Sequence, residues 1–155
     1  MSGGLDNRGM RNLLLFFHIA GAIFWMGGMA FMVMALRPAL GALQPPQRLP
    51  LVVEVLRRFF VVVMVSIALL LATGVVLLTS VGGFAPPGWH AMAGLGVVMM
   101  LVFGHIFFAP WRRFKQAVAA QDWPEAGRRM QQIATLVKFN LGLGWVAIAA
   151  VLLWR

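Results

Sequence analysis

The sequence predicts an all-α integral membrane protein, an antiparallel (up-down) bundle of four transmembrane helices. Three observations carry that expectation. Of 155 residues, 61% are apolar, more than a soluble domain of ordinary proportions holds. From Phe59 to Trp111 there is no Asp, Glu, Lys or Arg, room for two spans of about 20 residues and a turn. Thirteen Lys and Arg stand against four acidic residues, and most of them fall in alternate loops. Lipid cannot satisfy exposed backbone groups, and no segment shows the alternation of a membrane barrel, so the spans are expected as helices. Their expected limits are about 12–36, 59–80, 89–109 and 135–154 within a single membrane domain, 1–155.

Span one begins near Asn12 and is too long for a secretory leader, so it is expected to be retained. "ALQPPQRLPLVVEVLRRFF" follows as a proline-rich turn and a helix starting at the membrane surface, with Glu54 three and four residues before Arg57 and Arg58 as a solvated cluster. Span two runs to about Ser80, where "VGGFAPPG" supplies an uncharged turn. Span three starts near Trp89, and Pro110 kinks or ends it. Asp122, Pro124 and Glu125 mark the start of a helix that runs into span four. Trp89, Trp111 and Trp154 fall at span ends, where their expected role is interfacial anchoring.

The charge of +9 is placed for a bilayer rather than for nucleic acid. Arg37, Arg48, Arg57 and Arg58 lie between spans one and two, and Arg112, Arg113, Lys115, Arg128 and Arg129 between spans three and four, with Lys138 at the inner end of span four. By the positive-inside rule both basic loops face the cytoplasm of a bacterial-type inner membrane, with both termini outside. The chain has no cysteine, which excludes disulfides, iron–sulfur clusters and thiolate metal sites. With no carboxylate in the spans either, a hydrolytic enzyme is not expected.

Within span one, His18, Gly21, Trp25, Gly28 and Met32 share one helix face. An imidazole inside a span marks a functional site by default, although tight helix packing with a histidine hydrogen bond explains the same pattern. Helical rise puts His18 about 9 Å inside the outer end of its span, level with His90, whereas His105 lies about 22 Å further along span three. In an up-down bundle spans one and three are diagonal, about 11 to 14 Å apart, a gap that suits a macrocycle. His18 and His90 are therefore candidate ligands of a haem b, with Gly21, Gly28 and Gly94 making room and Trp25 at the ring edge. His105, one turn before Pro110, is a candidate metal ligand or proton group. Thioethers of Met26, Met29, Met32 and Met34 on span one, with Met92, Met99 and Met100 on span three, suit copper(I), yet methionine also fills irregular apolar space. Ser66, Thr73, Lys138 and Asn140 are further polar residues for a path, each nonspecific alone.

"FFHIAGAIFWMGGMAFMVMALRPAL" resembles the first-helix pattern of the copper resistance protein D family, and "GHIFFAPWRR" resembles that family's third-helix ending. The first-helix pattern is also similar to the membrane protoporphyrinogen oxidase family of the HemJ type, whose members are haem b proteins. The resemblance implies that His18 is the shared first-helix histidine and His105 the third-helix one. Gly94 stands where the haem family has a lysine, and the resemblance then implies a second ligand at His90, one turn earlier, or at His105. Three functions follow as expectations. The first is a membrane haem b protein of electron transfer, an oxidoreductase-like partner of quinol or another small reductant. The second is a copper transport or binding protein using His18, Met26, Met29 and His105. The third is a cofactor-free subunit whose glycine face docks a partner or a second copy.

Overall fold

The computed structural model describes residues 3–81 and 85–154, and among them there is no strand. The elements are α1 (Gly3–Phe31), a π-helical segment (Met32–Leu36), α2 (Arg37–Ala39), a 3-10 turn (Leu40–Ala42), α3 (Pro45–Ser80), α4 (Pro87–Phe108), α5 (Pro110–Ala119) and α6 (Trp123–Leu153). Four of the helical stretches are long and apolar enough to cross a membrane, and they are spans one to four in order. The helices outlast their apolar stretches at the basic end, because α3 starts fourteen residues before Phe59 and α6 twelve before Thr135.

Prolines place the breaks. Pro38 has no N–H to give the carbonyl four residues back, and just before it the ladder widens, with the Arg37 N–H on the Met32 carbonyl. Pro110 ends the third span as expected: Ala109 leaves the helical region at φ −113°, ψ −82°, and α5 starts with Pro110 in its first turn. The turn into α6 closes α5 with Asp122 N–H on the Ala117 carbonyl (2.9 Å) and Gln121 N–H on the Val118 carbonyl (3.1 Å). Gln121 there has φ 55°, a left-handed position normally given to glycine. Asp122 then caps α6, its Oδ1 accepting from the Glu125 N–H at 3.0 Å, and α6 runs unbroken to Leu153.

Two antiparallel pairs make the bundle. α1 packs along α3 and α4 along α6. Small residues set both seams, as membrane packing requires. On α1, Gly21 lies against the Ser66 carbonyl and Leu70, and Gly28 against the Phe59 ring. On α4, Gly88 sits on the Ala150 and Trp154 carbonyls and gives its N–H to the latter at 3.0 Å. The pairs join at the basic end through an aromatic cluster centred on Phe60, with Phe103 at 5.5 Å, Phe107 at 6.0 Å and Trp111 at 5.2 Å between ring centroids.

That cluster corrects one expectation. Trp111 is not an exposed interfacial anchor; it is 4% exposed, because the break at Ala109 turns the first residues of α5 inward, and the Lys115 ammonium lies over its ring at 5.1 Å. Phe16, Phe24, Leu101 and Trp145 point outward, as lipid-facing residues do. Before the apolar part of α3, Glu54 pairs with Arg57 at 2.9 Å and Arg58 at 2.7 Å. The Arg57 hydrogen bond, then that of Arg58, holds its carboxyl down at about 2.

Candidate functional site

His18 occupies the α1–α3 seam, half-buried, with its Nδ1 2.9 Å from Thr73 Oγ1. Thr73 is buried, and its single hydroxyl proton goes to the Leu69 carbonyl at 2.7 Å, the back-bond that threonine makes inside helices. The hydroxyl oxygen is then left as an acceptor, so the hydrogen-bond pattern assigns the proton of the imidazole to Nδ1. Nε2 keeps its lone pair, the form in which histidine binds metals. Gly74 makes the seam fit, since a Cβ there would lie 3.1 Å from the imidazole Cε1.

A second polar group lies deeper, where the two helix pairs meet. Asn140 of α6 is 2% exposed; its Nδ2 donates to the Met99 carbonyl at 3.3 Å, and its Oδ1 is shut off from solvent with no partner among the described residues. One turn along, Gly144 lets two methionines converge. A Cβ on Gly144 would run into the thioether sulfur of Met26 and come within 3.2 Å of the terminal methyl of Met99. Met26 comes from α1, Met99 from α4 and Asn140 from α6, so three of the four long helices supply this cluster. Met26 and Met99 thus meet at Gly144, one turn along α6 from Asn140, and thioether sulfur and amide oxygen are neutral donor types that suit a soft monovalent cation.

The other predicted residues fall as follows. Trp25 and Met29 are buried on α1, at 3% and 2% exposure. Gly21 and Gly28 face α3, filled by Leu70 and Phe59, so the face they share with His18 is turned to span two, its antiparallel neighbour. His90 and His105 are both exposed on α4, and a Cβ on Gly94 would meet nothing. Among the described residues no three His, Asp or Glu side chains gather as a metal site. Two contributions stayed hidden in the sequence: Thr73 as the partner of His18, and Gly144 as the point where Met26 meets Met99. The only sequence signal for either was a polar or glycine residue inside an apolar helix.

Fold and site together define a small helical membrane protein that buries a lone imidazole and a thioether–amide cluster between its spans. The chain belongs to the copper resistance protein D family, whose pattern matches residues 53–154. That stretch holds Thr73, Met99, His105, Asn140 and Gly144, while His18 and Met26 precede it. An uncharacterized protein of Aquifex aeolicus (strain VF5) is 34% identical over 103 residues, which cover 66% of this chain and 70% of that protein. No solved structure matches.

Proposed function

We propose that the protein binds copper(I) within the membrane and passes it along the bundle. The observation that carries this is the convergence of Met26 and Met99 on Gly144, one turn from the unpartnered Oδ1 of Asn140. Thioether sulfur prefers copper(I) to the harder divalent ions, and a neutral site holds a monovalent ion loosely enough to release it. His18, about two turns nearer the start of α1, offers Nε2 as a ligand on the way. Family membership agrees with copper as the cargo. The positive-inside rule puts the basic loops in the cytoplasm and the His18 end outside.

The test is titration of the purified protein with copper(I) in competition with a chromophoric chelator, and X-ray absorption of the loaded protein. Sulfur scatterers are expected. Met26→Leu combined with Met99→Leu, which conserves volume, is expected to weaken binding about tenfold or more. Unchanged affinity in the double variant sinks the reading.

A second reading, haem b on His18, is favoured by the Nδ1-protonated ring. On this reading His18 would hold the iron through Nε2, and the bound group would supply one-electron transfer with a quinol or similar reductant. Here the exposed His90 and His105 are not gathered with His18, so a second ligand from α4 is not part of this reading. Protein from cells supplied with haem precursors should show a Soret band that His18→Gln removes. Colourless protein that stays colourless with added haemin excludes it, and His18→Gln leaves the methionine cluster intact, so the two readings separate.

A further inference from the structure

At the basic end, a cavity of about 320 Å³ lies between residues 32–41, which hold the widened turn Met32–Leu36 and the bend after it, and the helices α3 and α6. Its walls are mostly apolar, with Val52, Leu56 and Val137 among them, and its polar lining includes Arg37, Arg48 and Gln131. The two guanidinium groups are used differently. Arg37 donates from Nη2 to Gln131 Oε1 at 2.7 Å. Arg48 has its Nε shut off from solvent with no hydrogen-bond partner among the described residues. No carboxylate lines the cavity; Glu54 is paired with Arg57 and Arg58, and Glu125 with Arg128 and Arg129.

A sheltered guanidinium N–H without an acceptor is costly and asks for an anion that takes hydrogen bonds. The apolar walls ask for hydrocarbon. We propose that this cavity binds an anionic phospholipid of the surrounding leaflet, with its phosphate on Arg48 and Arg37 and an acyl chain against Val52, Leu56 and Val137. A phosphate diester satisfies the fork of Arg48 as a neutral sterol or glyceride does not. The site lies where α3 passes from its charged first turns, with Arg48 and Glu54, into the apolar stretch from Phe59, the depth of lipid headgroups in a bilayer. It is separate from the methionine cluster, so it stands or falls independently of copper.

The test uses the full-length protein, delipidated in detergent, with phosphatidylglycerol, phosphatidylcholine and inorganic phosphate as probes. Native mass spectrometry reads bound lipid, and thermal unfolding reads the stabilisation it confers. Phosphatidylglycerol is expected to stay bound and to raise the melting temperature, phosphatidylcholine to do so less, and inorganic phosphate not to replace either. Arg48→Gln should weaken phosphatidylglycerol about tenfold, and Arg37→Gln by less, because Arg37 is already shared with Gln131. Arg112→Gln, in the other basic loop, should leave binding unchanged. Ala134→Phe keeps both arginines but fills the cavity; it should abolish retention, and it decides the matter if Arg48→Gln does not fold. Equal binding of both lipids, an effect of Arg112→Gln as large as that of Arg48→Gln, or full binding to Ala134→Phe overturns the proposal.

Discussion

The two polar groups held between helices differ in how their hydrogen bonds balance. In the α1–α3 seam each proton has a place: the imidazole gives one to Thr73, and Thr73 gives one to Leu69. In the bundle centre Asn140 donates one amide proton to the Met99 carbonyl and leaves its oxygen unmatched. A matched pair orients a side chain; an unmatched acceptor costs free energy in the resting fold. On the copper(I) reading, the second is a residue held in reserve for the ion.

The largest expected effect tests whether the centre is filled to its limit. Gly144→Val has no room beside Met26 and Met99, and should cost about 1 to 3 kcal/mol in denaturant unfolding together with the copper(I) affinity. If the variant is as stable as the parent, the close approach described for the centre is wrong. Asn140→Leu is the sharper test of reserve, because it removes an unmatched acceptor without opening a cavity. It should raise stability by about 1 kcal/mol while copper(I) binding falls. A loss of stability there would mean that the oxygen is already satisfied.

Thr73→Val should be milder, costing about 0.6 kcal/mol, a typical value for hydrogen bonds between membrane helices. Its signature is spectroscopic: nitrogen NMR of His18 should show one tautomer in the parent and a mixture in the variant, with Thr73→Ser restoring the parent pattern. The smallest effect lies outside both seams. Glu54 is held at about 2, below its ordinary 4.5, so what its ion pairs add is present above about pH 4.5 and is lost as pH falls toward 2. Because the pair is exposed, a slight drop in melting temperature between pH 5 and pH 2.5 is expected, smaller in Glu54→Gln, where only the pairs of Glu125 remain to be lost.

Much of the architecture was legible because it depends on local chemistry. Apolar length marked the four spans, Pro110 their third ending and Asp122 the last helix start. The seams were less legible, since they depend on how each helix is rotated about its own axis. His18, Gly21, Trp25 and Gly28 could be read as one face, but only the packing shows that this face meets α3. Met26, Met29, Met32 and Met34 point in several directions round α1, and nothing local distinguishes Met26, which meets Gly144, from Met34, which is 76% exposed. Trp111 was misread because a proline break determines where the next helix turns, and sequence shows the break without its direction.

The wide turn at Met32–Leu36 stores one surplus residue in the first span. Deleting a single residue there would rewind the helix to its ordinary pitch and keep Arg37 in phase with Gln131, whereas a deletion in the regular part of α1 would swing everything beyond it by about 100°. The first span can therefore change its length by one residue at this point without turning its imidazole and thioether away from the helices they meet.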